Sequence, residues 1–423
     1  MTATRALVLA VAVGTLLGLS ARAPALPPTV FDVNTTADGA DFDLNDGRVD
    51  ADPVKPGDQV TLRAAIQNAN LLQTPVQINL PAGNYKLTVK GNEENACATG
   101  DLDITGNVTI AGAGSSKTII DAQNIDRVMQ VFLGATATIS DVTLTHGKTF
   151  GQPIGNIVAG AGINSQGTLS MTRCTISHCR ANDDGGALHL QSGPTLATGA
   201  TTLVDCYIVS NTAGENGGGI ASFQPSVTIT NCTIAKNHAD AREINDEGSD
   251  AEGGGIFVAA GFNGTVPTTI LVMTNSTISA NKSFGDGGGV HGSIVALFTV
   301  EMVHCTIAYN TAKLAEGISM NGLGKMTIAN CLLFKNDHNC TGPITSLGGN
   351  VELGQQCAFG AGDLNFADSR LAPLAYNGGP TPTHALKKKS AAIGAGNPAN
   401  CLTTDQRGQA RKTNCDAGAF ETP

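Results

Sequence analysis

Short stretches in which apolar and polar residues alternate recur through the middle of the chain. Residues 227–230 (VTIT) and 271–274 (LVMT) are two examples. A period of two residues is typical of a β-strand with one buried face. The clearest helical period is at residues 61–70, where Leu62, Ala65, Ile66 and Ala69 share one face behind Thr61 as N-cap. The pattern predicts an all-β protein with one short N-terminal helix, at residues 61–71.

One phrase follows these stretches repeatedly. It starts with Cys or Ser, has Ile or Leu two residues later, and in most copies ends with Asn three residues further on. The copies are residues 174–179 (CTISHC), 206–211 (CYIVSN), 232–237 (CTIAKN), 276–281 (STISAN), 305–310 (CTIAYN) and 331–336 (CLLFKN), with a weaker one at 142–147 (VTLTHG). A constant phrase at variable spacing predicts one structural turn that repeats, joined by loops of different lengths.

A second signature, Gly-Gly-Gly or Gly-Gly-Ala before an apolar residue, follows most copies of the phrase. It occurs at residues 185–188, 217–220, 253–256 and 287–290. Glycine adopts backbone conformations that a side chain forbids. We therefore expect each copy to turn the chain into the next strand.

These repeats favour a coil over a sandwich of hairpins. A sandwich would not place Cys, Ile and Asn at equivalent positions of nearly every unit, whereas a coil stacks each turn on the previous one at about 4.8 Å. We therefore predict a right-handed parallel β-helix. Its Asn side chains would hydrogen-bond along their own column, and its Cys side chains would fill a tight interior position rather than form a metal or redox site.

The segments on both sides of the repeats resemble known families. Residues 31–38 (FDVNTTAD), the Asp-rich stretch to residue 52 and residues 61–66 (TLRAAI) resemble the N-terminal segment named for its Cys-Ser-Leu-Arg-Glu-Ala string (CSLREA), although Val60, Thr61 and Ala64 replace the usual Cys, Ser and Glu. Residues 371–374, 377–386, 405–408 and 415–421 resemble the choice-of-anchor Q C-terminal region. The resemblance implies a bacterial, exported or surface β-helix protein and does not imply a chemistry.

The chain is expected to have four parts. Residues 1–25 carry Arg5, an apolar run over residues 6–19 and an Ala-rich end, which predicts a secretory signal peptide. The run is too short to span a membrane, which takes about 20 residues. We expect an N-terminal capping segment at residues 26–100, the coil at 101–352 and an irregular C-terminal cap at 353–423. The expected product is a secreted or cell-surface monomer with no transmembrane segment.

Charge and cysteine content narrow the function classes. The 35 acidic residues outnumber the 25 Lys and Arg, the net charge is −10 and aromatic residues make up 4% of the chain. This balance argues against a nucleic-acid partner, which needs clustered basic residues. Export permits disulfides, and Cys401–Cys415 and Cys340–Cys357 are possible local bridges. The odd total of 11 Cys leaves at least one thiol unpaired within the chain.

Acidic residues just before the glycine turns form the main candidate site: Asp183, Asp184, Glu215, Glu252 and Asp286. In register, some of their carboxylates would lie about 5 Å apart on one outer face. Like charges so close raise one another's pKa unless a cation lies between them. We therefore predict that Ca²⁺ binds here and holds sugar carboxylates. The alternative is that these acids only keep the surface soluble.

A catalytic role for the same region is a further hypothesis. Asp183, Asp184 and Asp286 are the candidate catalytic residues, and Glu215, Glu252 and His291 the candidate substrate-binding residues. Asp183-Asp184 with His189, and residues 289–292 (GVHG), faintly resemble polygalacturonases, but that family's Asn-Thr-Asp and Arg-Ile-Lys strings have no equivalents. Two suitably separated carboxylates can act as acid and base on a glycosidic bond. The alternative places His189 and His291 among ordinary solvent-side strand residues.

A separate Asp-rich loop is a second candidate Ca²⁺ site. Asp41, Asp43, Asn45 and Asp50 alternate as oxygen ligands do in an EF-type loop, but Asp46 occupies the sixth position, where that loop has Gly. The alternative is a solvated loop held by Asx turns.

The resulting expectation is a secreted or cell-surface protein that binds extracellular polysaccharide or another surface ligand without catalysis. Loops at residues 147–162 and 238–252 would present the binding surface. The alternative is a polysaccharide lyase or glycoside hydrolase acting on an acidic polysaccharide such as pectate. Arg63 and Arg407 are expected to hold the two end segments in place by bonding to backbone carbonyls or an Asp.

Overall fold

The computed structural model describes residues 27–423 apart from residues 73, 92–93, 151–157, 192–198, 245–249, 260–268, 294–297, 323 and 358. The signal peptide expected at residues 1–25 lies outside the described residues, as do parts of the loops at 147–162 and 238–252. Within the described residues, no helix is both long and apolar enough to cross a membrane.

The chain winds into a right-handed parallel β-helix, which confirms the predicted fold class. Its strands form four sheets, and paired strands from successive turns run parallel. Parallel connections of this kind are right-handed in nearly all proteins. One turn passes through sheet A, then sheet B, then the short sheet D where it is present, and then sheet C.

The four sheets and the helices are defined by the following bounds. Sheet A contains Thr29–Asp32, Val76–Leu80, Asn107–Gly112, Thr136–Ser140, Thr168–Thr172, Ala200–Val204, Ser226–Thr230, Thr269–Thr274, Phe298–Val303, Lys325–Ala329 and Ile344–Ser346. Sheet B contains Gly83–Lys86, Thr118–Asp121, Thr143–Thr145, Thr175–Ser177, Tyr207–Val209, Thr233–Ala235, Thr277–Ser279, Thr306–Ala308, Leu332–Phe334 and Val351–Glu352. Sheet C contains Leu102–Ile104, Met129–Val131, Ile163–Ser165, Leu188–Leu190, Ile220–Ser222, Ile256–Val258, Val290–Gly292, Ile318–Met320 and Cys340–Thr341. Sheet D contains Arg180–Ala181, Thr212–Ala213, His238–Ala239 and Lys282–Ser283. Helix α1 is Leu62–Leu71, and short 3₁₀ helices occur at Ala241–Ile244 and Pro398–Asn400.

Single residues in the left-handed backbone region make the corners of each turn. In one turn, Arg173 (φ 52°) lies between sheets A and B, and His178 (φ 54°) follows sheet B. The approach to sheet C begins at Gly185 (φ 70°), where an added Cβ would lie 2.3 Å from the carbonyl oxygen of Leu188. The glycine signature therefore serves the turn for which it was predicted.

Like residues stack along the coil, as the repeat predicts. In sheet B, Ile208 pairs with Ile234 and Ile234 pairs with Ile278, and all three side chains are buried. The Cys position forms a second buried column, and its cysteines are unpaired thiols. Its members are Cys174, Cys206, Cys232, Ser276, Cys305 and Cys331. Because these side chains lie in the core, the structure agrees with the space-filling role expected of them.

The Asn column is a continuous hydrogen-bond ladder. It contains Asn211, Asn237, Asn281, Asn310 and Asn336, all buried. From Asn237 onward, each side-chain oxygen accepts from the backbone N–H and the Nδ2 of the Asn one turn earlier, at 2.9–3.1 Å. The oxygen of the first member, Asn211, accepts from the backbone N–H of Cys179 at 3.0 Å. Each Nδ2 also donates to a backbone carbonyl of the sheet B strand in the preceding turn. The ladder therefore satisfies amides that would be costly to bury without partners.

The predicted helix covers the first turn of the coil. Thr61 is its N-cap, and the Thr61 hydroxyl accepts from the Ala64 N–H at 3.0 Å. Beside it, the fully buried Arg63 donates from Nε to Asp38 Oδ1 at 2.7 Å. Arg63 also donates to the carbonyls of Gly100 and Asp101. The structure thus gives Arg63 the cap-tethering role predicted from the sequence.

The coil begins earlier than the predicted boundary at residue 101. Thr29–Asp32 pairs with Val76–Leu80, which pairs in turn with Asn107–Gly112. The N-terminal segment therefore supplies strands to sheet A as well as the covering helix. The Asp-rich loop and α1 are a long insertion between the first two of these strands, which is why the alternating pattern is interrupted there.

The last part of the chain, residues 367–423, does not close the end of the coil as predicted. It lies along the outer face of sheet B, where the Thr381 hydroxyl donates to the Asn231 carbonyl at 2.8 Å and the Ala419 N–H donates to Thr306 Oγ1 at 2.9 Å. Cys357 and Phe359 join the core at the end instead. The structure contains both disulfides considered above, Cys340–Cys357 and Cys401–Cys415.

Gln406 is the polar contact at the centre of this side-on packing. Its Oε1 accepts from the Thr277 hydroxyl at 2.7 Å, and its Nε2 donates to Thr233 and Thr381 at 2.8 Å. Replacing Gln406 with Leu removes the acceptor of the Thr277 hydroxyl and the donor to Thr233 and Thr381, whose hydroxyls keep their bonds to the Pro382 and Asn231 carbonyls. We expect faster amide exchange in residues 371–423, measured by hydrogen–deuterium exchange, with unchanged protection in the Asn column.

Gln409 provides the control because its side chain is exposed. Gln409→Leu should leave the exchange rates of both regions unchanged. If Gln406→Leu instead accelerated exchange equally throughout the coil, the C-terminal segment would be part of the coil's cooperative unit rather than a layer packed on it.

Candidate functional site

The residues before the glycine turns lie in one column along the coil. The Gly185 N–H donates to the Asn216 carbonyl at 2.8 Å, and equivalent bonds from Gly217 and Gly253 reach Glu252 and Asp286 at 2.9 Å. The acidic ridge is therefore Asp184, Asn216, Glu252 and Asp286, with Asp183 and Glu215 beside its first two members. The predicted row of five acids is corrected in one respect: Asn216 occupies the position expected for Glu215. The left-handed glycine sets the register, and Asn216 directly precedes it.

Three carboxylates at one end of the ridge form a compact group. One ligand oxygen from each of Asp183, Asp184 and Glu215 can be chosen so that all three lie within 4.8 Å of one another. All three side chains are partly buried. We call these three residues the carboxylate cluster. Oxygen donors so arranged suit a hard divalent cation such as Ca²⁺.

Burial raises the pKa values of both aspartates in this cluster. Burial, followed by the charge of Asp183, raises the pKa of Asp184 to about 8. Burial also raises the pKa of Asp183. The backbone N–H of Asn216 donates to Asp184 Oδ1 at 2.8 Å, but this bond only partly offsets the rise. At neutral pH Asp184 therefore holds a proton unless a cation takes its place.

The other end of the ridge places a histidine against a carboxylate. His291 Nε2 lies 3.1 Å from Glu252 Oε2, and only 1% of the His291 side chain is exposed. Its Nδ1 is buried and has no hydrogen-bond partner among the residues that the structure describes. Burial raises the pKa of Asp286 nearby, and the charge of Glu252 contributes. His291 is thus not the solvent-side residue of the alternative interpretation, because the outer face of sheet C is covered at this position.

Aromatic rings line the outer face of sheet C next to the ridge. His189, Ala221, Phe257 and His291 occupy equivalent positions on successive turns. The Phe223 ring lies over the Ala221 position, 5.6 Å from the His189 ring and 5.8 Å from the Phe257 ring. The His291 ring stacks on Phe257 at 5.7 Å and 3°. Rings beside carboxylates are typical of sites that bind polar organic ligands with an apolar face.

His189 is part of this aromatic row. Its Nδ1 lies 3.1 Å from Asn164 Oδ1, and only 3% of the residue is exposed. Burial lowers the pKa of His189 to about 3, so its imidazole is neutral at physiological pH. His189 is therefore not the solvent-side residue of the alternative interpretation, and its Nδ1 is hydrogen-bonded to Asn164 rather than to Asp183 or Asp184.

The Asp-rich loop uses its carboxylates to hold its own backbone. Asp41 Oδ1 accepts from the Asp43 N–H at 2.9 Å, and Asp43 Oδ1 accepts from the Asn45 N–H at 3.0 Å, as in Asx turns. Asp41 Oδ2 accepts from the Asp50 N–H and from Asn68 of helix α1. The geometry favours the turn interpretation, and Ca²⁺ binding by Asp41, Asp43, Asn45 and Asp50 stays a prediction.

Sequence reasoning missed a buried charged cluster below the N-terminal helix. Burial raises the pKa of Asp101 to about 7 and that of Asp103 to about 8. Arg127 Nη1 lies 3.4 Å from Asp101 Oδ2, and the Cys97 N–H donates to Asp103 Oδ2 at 2.8 Å. The signal was present in the alternation of residues 101–104 (DLDI), which places both acids on the face opposite Leu102. Arg63 also donates to the Asp101 carbonyl, so this cluster adjoins the buried Arg63. We therefore assign the cluster to holding the N-terminal helix on the coil.

Solved structures similar to this chain include a pectate lyase and a pectin methylesterase. One is the crystal structure of pectate lyase Pel9A, with a TM-score of 0.49 and 15% identity, covering 92% of this chain and 97% of that chain. Another is a pectin methylesterase from Yersinia enterocolitica, with a TM-score of 0.35 and 12% identity, covering 72% of this chain and 93% of that chain. No family model matches this chain, and neither does any curated protein. The CSLREA and choice-of-anchor Q resemblances thus stay predictions.

Proposed function

We propose that this protein is an exported β-helix protein that binds acidic polysaccharide through Ca²⁺ held by the carboxylate cluster. The observation that supports the proposal is the approach of Asp183, Asp184 and Glu215 to within 4.8 Å, with the pKa of Asp184 raised to about 8. Three acids held so close repel one another, and a divalent cation relieves this repulsion. A bound Ca²⁺ keeps positions for further oxygen ligands, which sugar carboxylates can fill.

The neighbouring surface supports a sugar as the ligand. The acidic ridge runs beside the aromatic row, in which Phe257 and His291 are buried and Phe223 is partly exposed. A saccharide bound to the cation can place its apolar face near the Phe223 ring. Repetition along the coil axis favours an extended ligand over a compact one. A chain of uronic acid units, as in pectate, has carboxylates at regular intervals that match such a surface.

The metal part of the proposal is tested by titrating Ca²⁺ into the protein in a calorimeter. We expect a Kd of about 10⁻⁴–10⁻³ M at pH 8, the range of extracellular Ca²⁺ modules. Asp184→Asn should weaken binding at least tenfold. Because Ca²⁺ must displace the proton on Asp184, affinity should fall by up to about tenfold per unit as the pH drops below 8.

Asp337→Asn is the matched control, since Asp337 is exposed and the substitution also replaces one Asp side chain with the isosteric amide. It should bind Ca²⁺ like the unmodified protein. Polygalacturonate should bind only when Ca²⁺ is present, and EDTA should release it. Ca²⁺ binding that survives Asp184→Asn, or polygalacturonate binding that is indifferent to EDTA, would refute the proposed site.

A second candidate function, hydrolysis of a glycosidic bond, is favoured by the same Asp184. A carboxyl group that keeps its proton at pH 7 can act as general acid, with a neighbouring ionised acid as its partner. The two functions require opposite protonation states of Asp184, because a general acid must carry a proton and Ca²⁺ binding requires the ionised carboxylate. Release of reducing ends from polygalacturonate that stops on addition of Ca²⁺ and in Asp184→Asn would establish hydrolysis and displace the binding proposal. Unsaturated products would instead establish a lyase.

A further inference from the structure

A pocket of about 660 Å³ lies where the C-terminal segment meets the last turns of the coil. Its coil side is formed by Tyr309, Phe334, Lys335 and Leu353, and its other side by Asp368, Arg370, Leu371, Lys387 and Lys388 of the C-terminal segment. We call this the basic pocket. It lies on the outer side of sheet B, whereas the acidic ridge leads into sheet C. Its volume is in the range of sites that bind small organic molecules.

The charge of the pocket is opposite to that of the protein as a whole. In a chain of net charge −10, this pocket brings together Lys335, Arg370, Lys387 and Lys388 with Asp368 as its acidic member. Asp368 is already engaged, since Arg370 Nε lies 3.5 Å from its Oδ2. The three lysines are exposed, and no carboxylate of the described residues forms an ion pair with them. Their uncompensated charge therefore attracts an anion.

Aromatic surface forms the floor between these cations. The Tyr309 and Phe334 rings meet edge to face at 5.7 Å. Lys335 Nζ lies 5.9 Å from the Tyr309 ring centroid and 5.4 Å from that of Phe334. Burial raises the pKa of Tyr309, so its phenol stays neutral and can donate a hydrogen bond. A ligand here meets an apolar face, a hydroxyl and several positive charges together.

We propose that the basic pocket binds one or two uronic acid units of an acidic polysaccharide directly, without a metal ion. The sugar carboxylate lies among Lys335, Lys387 and Lys388, and the apolar face of the pyranose ring packs on Tyr309. An inorganic phosphate contacts only the lysines and has no apolar face to pack on the Tyr309 ring. This second site goes beyond the proposed function, because it depends on neither Ca²⁺ nor the carboxylate cluster.

The test is calorimetry with digalacturonate in buffer containing EDTA. We expect binding in the unmodified protein and about three- to hundredfold weaker binding in the triple variant Lys335→Gln, Lys387→Gln, Lys388→Gln, because all three cations that face the sugar carboxylate are removed. The control triple variant Lys86→Gln, Lys117→Gln, Lys325→Gln removes the same charge from exposed positions elsewhere. It should bind like the unmodified protein.

Two further comparisons separate a sugar site from a simple anion site. Tyr309→Leu, checked for retained fold by circular dichroism, should weaken digalacturonate binding several-fold and leave inorganic phosphate binding unchanged. Digalacturonate should also bind more tightly than phosphate, and the neutral disaccharide should not bind. Equal affinity for phosphate and digalacturonate, no effect of the lysine substitutions, or no binding in EDTA would overturn the proposal. Asp184→Asn should leave this binding intact, so failure of the Ca²⁺ site and failure of this pocket are distinguishable.

Discussion

Asn281→Leu is expected to lower the free energy of unfolding by about 2–6 kcal/mol. Asn281 is fully buried in the middle of the Asn column, and its Oδ1 accepts from both the backbone N–H and the Nδ2 of Asn237 at 3.0 Å. Its Nδ2 donates to the Ile234 carbonyl at 2.9 Å. Leucine removes partners from the Asn237 N–H and the Ile234 carbonyl, and each buried polar group left unpaired costs about 1–3 kcal/mol.

Urea unfolding followed by circular dichroism measures this loss. Asn107→Leu is the control, because Asn107 is an exposed strand residue of sheet A and its replacement should change stability by no more than about 0.5 kcal/mol. Equal stability of the two variants would mean that the ladder contributes nothing beyond ordinary strand pairing. A large loss confined to Asn281→Leu supports the ladder as a main source of stability in the coil.

Arg63→Met is expected to destabilise the N-terminal turn by about 3–5 kcal/mol, the cost of removing one partner from a buried ion pair. The Arg63 side chain is 0% exposed and that of Asp38 is 3% exposed. Without Arg63, the donors left to the Asp38 carboxylate within the described part of the chain are the backbone N–H groups of Thr88 and Val89. Thermal unfolding should show a lower midpoint, with the loss of α1 as the first event.

A double variant distinguishes the buried charge from simple packing. Arg63→Met combined with Asp38→Asn removes both charges, and it should be more stable than Arg63→Met alone because no carboxylate is left buried without a cation. Equal or lower stability of the double variant would contradict this account. It would indicate that Arg63 acts mainly through its bonds to the carbonyls of Gly100 and Asp101.

The coil could be predicted from the sequence because every turn repeats the same physical requirement. A buried Asn must find amide partners, and stacked copies of itself provide them, so the recurrence of Asn at 211, 237 and 281 indicates both parallel stacking and its register. The helix over the first turn could be predicted equally well, since Thr61 and the apolar face behind it are local signals in the sequence. Repetition and local pattern thus account for what the sequence predicted well.

The position of the C-terminal segment could not be predicted in this way. Gln406 meets Thr277 across 129 residues of chain, and each such contact occurs once. The outward residues of sheet B in this region, such as Thr233 and Ala308, are small enough to be covered, but small residues also occur on exposed strands. Without repetition, no sequence signal separates a covered face from a solvated one.

The candidate site was predicted in outline and corrected in detail. Acidic residues before the glycine turns do approach one another, but the exact register placed Asn216 in the ridge and set Glu215 beside Asp183. Phe223 and Phe257 were not recognised, because each contributes one ring to a row built from unlike residues. A site assembled from single side chains of different turns carries little periodic information.

A crystal structure determined with Ca²⁺ and an oligogalacturonide tests the central claim most directly. The account predicts one Ca²⁺ bound by carboxylate oxygens of Asp183, Asp184 and Glu215, with a sugar carboxylate completing its coordination and the saccharide running beside the aromatic row. Saccharide bound elsewhere on the coil with the carboxylate cluster free of metal, at a Ca²⁺ concentration well above the Kd, would contradict it.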